Sequence, residues 1–311
     1  MASLAHHRLK LACLALAGTL ALAACSGGTD QTPDAETGSQ GWTVAAAFYP
    51  LQFVAESVGG DLVSVTNLTK PGAEPHDLEL APQDLGQLAD ADLAVYLDGF
   101  QPAVDEAVAQ KSSGEALDVS AAADLSLTAV DDDHGGEEVT DPHFWLDPLR
   151  LADVGDAVAD SLSQLDPPAQ ATFEANAAAL RAKLERLDAS YRKGLSDCDR
   201  RQLVTSHTAF GYLADAYQLE QVGLTGLTPE TEPNPQELAD VTKFVRDNDV
   251  QTIFYETLVS PDVAETVAQS TGASTSVLDP LEGLSDESAG DDYLQVMQSN
   301  LANLQEGLPC R

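Results

Sequence analysis

From Pro167 to Leu195 the sequence carries one helical stripe without a break, and the rest of the chain must be arranged around it. Phe173, Leu180, Leu184, Leu187, Tyr191 and Leu195 recur every three or four residues. Alanines fill the longer first gap, and no turn signal intervenes before Gly194. A helix of about 25 residues is roughly 38 Å long. Such an element is expected to connect two lobes as a stiff rod.

Strand and helix patterns alternate on both sides of it. Before it come strand candidates in "WTVAAAFYP", "LVSVTNL" and "LAVYLDG". Helical patterns lie between them in "LQFVAESVGG" and "PQDLGQLADA", and another runs across Phe100 to Gln110. After it come strands in "RQLVTSH", "QVGL", "QTIFYE" and "STSVLDP". The intervening helices are "TAFGYLADAYQL", "PNPQELADVTKFVRDNDV" and "SPDVAETVAQSTG", and a last helix covers Asp291 to Leu304. Asn234, Pro235 and Glu237 mark one helix start well, as cap, first position and third position. Alternation of this kind argues for βαβ units and a parallel sheet. The expected fold class is therefore α/β, with two parallel-sheet lobes at 42–166 and 197–311 joined by a helix at 167–196. The stretch "LTAVDDDHGGEEVTDPHFWLDP" reads as an exposed acidic loop.

The N-terminus reads as an export signal. A short basic start with Arg8 and Lys10 precedes an apolar run from Leu11 to Ala24, and Leu22-Ala23-Ala24-Cys25 follows the pattern of a cleavage site. The run is too short to span a bilayer comfortably. With cysteine at the first mature position the stretch resembles a bacterial lipobox. The resemblance implies a signal peptide at 1–24, a lipid on Cys25 and a flexible Gly/Ser/Thr-rich tether over 25–41. An extracytoplasmic protein anchored to the cell membrane is expected. Cys13 leaves with the signal, so Cys198 and Cys310 remain, and two cysteines in an exported chain most simply pair.

Charge excludes one class of partner. Lys and Arg number 15 against 51 Asp and Glu, a net charge of −36. Nucleic acid binding depends on clustered cationic side chains, so it is not expected.

Histidine is scarce, with six in 311 residues. His76 follows a Gly/Pro turn in "KPGAEPHDLELAPQDL", His143 lies in "TDPHFWLDP", and His207 directly follows the strand "LVTS". Asp279 follows "TSVL" in the same way. In open parallel sheets, ligands bind beyond the carboxyl ends of strands. Gaps of 67, 64 and 72 residues rule out a local finger motif, so any joint site would be assembled by the fold. Three imidazoles and a carboxylate suit a tetrahedral divalent ion and favour zinc over manganese or calcium. The residues alone leave a second reading open, three unrelated loop histidines.

Six stretches carry a resemblance. "KPGAEPHDLELAPQDL", "DPHFWLDP", "VTSHTAFGYLADAYQL", "EPNPQELADV", "IFYETLVSP" and "LDPL" occur in the order found in metal-binding solute-binding proteins of ABC transporters, the zinc/manganese class. The resemblance covers the chain from about Trp42. It implies two α/β lobes joined by one long rigid helix, with the metal in the cleft between them. It also implies a non-enzymatic, monomeric protein that delivers Zn²⁺ to a permease in the membrane. His76, His143, His207 and Asp279 match the family's ligands, and histidine rather than glutamate at 207 points to the zinc type. Glu256 is expected beside the ligands, Glu74 is a further carboxylate near His76, and His134 in the acidic stretch 131–138 is a candidate metal-collecting residue. The alternatives are a manganese or iron importer component, a zinc hydrolase and a surface adhesin. A hydrolase needs an open metal position and a placed base, and the chain has no HExxH motif.

Overall fold

Two four-stranded parallel sheets with the same strand order build the protein. The computed structural model describes residues 41–111, 113–131, 137–229 and 233–311. The first half runs β1 (Trp42–Ala46), α1 (Tyr49–Gly59), β2 (Val63–Asn67), α2 (Pro82–Asp90), β3 (Leu93–Tyr96), α3 (Pro102–Ala109), β4 (Glu115–Asp118) and α4 (Ser120–Ala123). A hairpin of β5 (Thr128–Asp131) and β6 (Glu137–Thr140) follows, then α5 (Pro148–Leu165) and α6 (Gln170–Gly194). The second half runs β7 (Gln202–Thr205), α7 (Gly211–Tyr217), β8 (Glu220–Gly223), α8 (Pro235–Asp247), β9 (Thr252–Tyr255), α9 (Asp262–Thr271), β10 (Ser274–Val277) and α10 (Tyr293–Gly307).

The sheets are ordered β2-β1-β3-β4 and β10-β9-β7-β8. Counted from the first strand of each half, both read 2-1-3-4, so the fold repeats itself. The sequence says which strands go to the middle. Val44, Ala45 and Ala46 of β1, Leu93 to Val95 of β3, and Ile253 and Phe254 of β9 are essentially fully buried. Strands covered on both faces need such apolar runs. The edge strands β2 and β10 alternate with Ser and Thr instead.

The long stripe forms α6 as expected, and Phe173, Leu180, Leu184, Leu187, Tyr191 and Leu195 are all buried. α6 packs against α1 and α5 of the first half and α10 of the second, so one apolar core runs continuously between the sheets. Tyr191 reaches α10 directly, its hydroxyl donating to the Met297 carbonyl at 2.7 Å.

Two elements depart from the sequence reading. The stretch read as an exposed loop contains the β5–β6 hairpin, with Thr128 opposite Thr140 and Ala129 opposite Val139. α5 was not anticipated at all. Its Asp147 caps it by accepting from the Leu149 amide at 2.9 Å, Pro148 takes the first turn, and Leu151, Val154, Val158 and Leu162 face the core.

Cys198 and Cys310 form a disulfide across 112 residues. It fastens the C-terminus to the segment after α6, where Asp199 donates to the Pro309 carbonyl and Arg311 to that of Asp197. A loop of that length is worth roughly 4–5 kcal/mol in the chain-entropy model. Replacing both cysteines by serine is expected to lower the unfolding free energy by about that much, measurable by urea titration.

Among the described residues, no helix is long and apolar enough to cross a membrane. The signal, Cys25, the tether up to residue 40 and His134 lie outside the described residues.

Candidate metal centre

The two sheets point their carboxyl ends toward one buried cluster. His207 comes two residues after β7, and Glu256 directly follows β9. His76 lies in the long β2–α2 connection, and His143 lies between β6 and α5. The structure brings His76, His143 and His207 together with Glu282, each offering a donor atom within 4.8 Å of the others.

The spacing of those atoms is diagnostic. Glu282 Oε1 stands 3.4 Å from His76 Nε2, 3.1 Å from His143 Nε2 and 3.2 Å from His207 Nε2. His143 Nε2 and His76 Nε2 are 3.3 Å apart. Bonds of about 2.0 Å in a tetrahedral zinc shell put neighbouring donor atoms about 3.3 Å apart. Four of the six distances among these donors match that value, and all four atoms lie within 4.8 Å of one another.

Carboxylates aim two of the imidazoles. His143 Nδ1 is 2.8 Å from Asp141 Oδ1, and His207 Nδ1 is 2.8 Å from Glu256 Oε1. With the proton on each Nδ1, the Nε2 lone pair faces the cluster centre. Asp141 is itself packed onto Gly211, where an added Cβ would fall 2.4 Å from Asp141 Oδ2. Gly211→Ala is expected to push Asp141 off His143 and weaken metal binding about 10–100-fold, the range for losing such an outer partner; chelator competition reads this.

The electrostatics show a site short of positive charge. Burial opposes ionisation of Glu282, but the three histidines outweigh it and hold its carboxyl well below the usual range. Burial pulls His143 and His207 down, yet Asp141 and Glu282 for the first, and Glu256 and Glu282 for the second, raise both. Burial lowers His76, which has Glu282 as its sole carboxylate partner in the cluster. Glu74 is pushed up to about 9, chiefly by burial and then by Glu282. Its Oε1 accepts from the His76 amide at 3.1 Å. Among the described residues, the second oxygens of Glu74, Glu256 and Glu282 are buried with no hydrogen-bond partner. At Glu282, within the donor group, a divalent cation would offset that buried charge.

Asp279 does not join the cluster, contrary to the sequence expectation, and Glu282 stands in its place. Asp279 Oδ1 accepts from the Leu281 amide at 2.8 Å, while Oδ2 accepts from Ser288 Oγ at 2.9 Å and Thr257 Oγ1 at 3.3 Å. Its carboxylate is taken up by its own loop and by Thr257 after β9. Glu282 lies only three residues on, in "LDPLEG", and a strand end followed by a Pro-containing acidic loop is the one signal that could have raised it.

The family described as "ZnuA: Zinc-uptake complex component A periplasmic" matches residues 44–307. The chain belongs to this ZnuA family. A zinc-binding lipoprotein, AdcA, of Streptococcus pneumoniae is 36% identical over 278 residues, covering 85% of this chain and 55% of its own. The chain thus spans about half the length of the first curated relatives it matches. The high-affinity zinc uptake system protein ZnuA of Bacillus subtilis is 33% identical over 309 residues, covering 94% of this chain and 96% of its own. Among solved structures, the Zn(II)-bound ZnuA-like domain of S. pneumoniae AdcA superposes with a TM-score of 0.73 at 34% identity, over 86% of this chain and 99% of that one. The laminin-binding protein Lmb of Streptococcus agalactiae, described as having adhesin and metal-transporting activity, gives 0.76 at 32%, over 86% and 100%. The family is one of solute-binding transport proteins, and the two-sheet α/β architecture joined by a long helix is the one its members share.

Proposed function

We propose that this chain captures Zn²⁺ outside the cytoplasm and delivers it to an ABC-type importer, with His76, His143, His207 and Glu282 as the ligands. The observation that carries the reading is the buried group of four donor atoms, all within 4.8 Å of one another, with four of their six separations between 3.1 and 3.4 Å. Membership of the ZnuA family and the zinc-binding names of its relatives support it. Three nitrogens and one oxygen favour zinc over manganese. A shell closed by four protein side chains holds an ion as cargo and offers no open position for chemistry. Asp141 and Glu256 keep two imidazoles in register, and Glu74 borders the site. A cavity of about 500 Å³ beside His76, lined also by Asp77, Asp98 and Phe100, gives the ion its way in and out.

The mature chain works in this reading as a monomer, tethered through a lipid on Cys25 and docking on a membrane permease. Its division into 42–166, the helix at 167–196 and 197–311 follows the two sheets.

Zinc titration of the chain from Ser26 onward, against a chelating indicator, tests the proposal. One tightly held equivalent is expected, and a preference for Mn²⁺ would overturn it. Capture should need little closure, because bonds already cross between the halves. Trp145 Nε1 donates to the Pro280 carbonyl at 2.7 Å, and the Tyr212 hydroxyl to that of Asp141 at 3.2 Å. The radius of gyration from small-angle scattering is expected to stay nearly constant on adding zinc; a large compaction would count against this rigid frame.

A further inference from the structure

We infer that Asp279 is a positioning residue, which acts on the metal only by holding the turn that aims Glu282. The inference rests on the zinc-binding reading above and adds a residue that never touches the ion.

The turn is fixed from several sides. Asn300 of α10, itself buried, clamps the Asp279 backbone: its Oδ1 accepts from the Asp279 amide at 3.0 Å and its Nδ2 donates to the Asp279 carbonyl at 2.7 Å. Trp145 holds the next carbonyl, that of Pro280. Leu281 then takes φ of +57°, the left-handed region that a residue with a Cβ avoids. A fully buried leucine in that conformation must be over-determined by its surroundings. The bond from its amide to Asp279 Oδ1 is the local constraint that does this, closing an Asx turn. Ser288 and Thr257 keep the other oxygen from rotating. The residue after this reversal is Glu282, and the reversal sends its side chain to the three Nε2 atoms.

The Asx turn explains why Asp279 cannot do both jobs. A carboxylate bound to the amide two residues on is turned toward its own loop. Had Asp279 been a ligand, Leu281 would lose its anchor.

Chelator competition and Co²⁺ absorption spectra on Asp279→Asn, Asp279→Ala, Glu282→Ala and the double variant Asp279→Ala/Glu282→Ala test the assignment. Asn retains an acceptor for the Leu281 amide, so D279N is expected within a few-fold of the unmodified protein. D279A is expected to weaken zinc about 10–100-fold and to shift the Co²⁺ spectrum toward that of E282A. In the E282A background D279A is expected to add nothing, because the residue it works through is gone. A D279N as weak as E282A would overturn the inference, since charge at 279 would then matter. So would an equal loss from D279A in both backgrounds, the mark of a merely structural role. Should D279A fail to fold by circular dichroism, the D279N affinity and spectrum decide alone. Absence of zinc binding by the unmodified chain would instead strike the proposed function.

Discussion

His207→Ala is expected to abolish the single tight zinc equivalent. The substitution removes one member of the donor group, the nitrogen 3.2 Å from Glu282 Oε1. It also strips Glu256 of its only side-chain partner among the described residues, whose Nδ1 lies 2.8 Å away. Both carboxylates stay buried, so the pocket would hold excess negative charge without the imidazole that organises it. Losing a mere outer partner costs about 10–100-fold, so losing a ligand together with the anchored ring should exceed that. Isothermal titration should show no resolvable site in H207A while the unmodified chain gives one. Glu256→Gln separates the two effects: it keeps the ligand but replaces the carboxylate that receives the Nδ1 proton, and should fall in the 10–100-fold range. Unchanged affinity in H207A would remove His207 from the ligand set.

The three histidines were legible because histidine is rare here and each sits just past a strand or a rigid turn. The fourth member of the cluster was not, in a chain with 51 acidic residues. Asp279 and Glu282 both follow β10, and which one faces the cluster depends on the backbone at Leu281. Leucine gives no warning of positive φ, where glycine or asparagine would. The same reasoning separates what was read from what was missed in the fold. The stripe of α6 is long and uninterrupted, so its period could be counted. The hairpin strands Thr128–Asp131 and Glu137–Thr140 are four residues each, too short for an apolar alternation to be counted. α5 did carry a signal, an Asp-Pro start and apolar residues at 151, 154, 158 and 162. The boundary at Asp166 was legible from Pro167 and Pro168, while the helix before it was passed over.

Zinc affinity should fall as pH drops from the alkaline side, and more steeply at the acid end. Metal binding requires neutral imidazoles, and each proton displaced per ion contributes a factor of about ten per pH unit. The sign follows from the directions of the shifts. His143 and His207 are raised above the ordinary histidine range by their carboxylate partners, against the opposing effect of burial. In the metal-free protein they hold the protons that zinc must expel to higher pH than a free imidazole does. His76 is lowered by burial and adds a third only at lower pH. Titration calorimetry in buffers of different ionisation enthalpy should therefore show protons released on zinc binding, in a number that grows as pH falls. Stability of the metal-free protein runs the other way. The raised histidines contribute stability that is fully present below their unfolded value and lost as pH rises through the folded one. Glu282, held low by the same histidines, contributes stability that is present above its unfolded value and lost as pH falls through the folded one. The metal-free cluster is thus most stable between those limits, where its charges pair. Zinc replaces the protons with a single divalent charge, so the rise in melting temperature on adding zinc should grow steadily from pH 6 to pH 8. A zinc-induced shift independent of pH over that interval would mean that the imidazoles are not the groups being displaced.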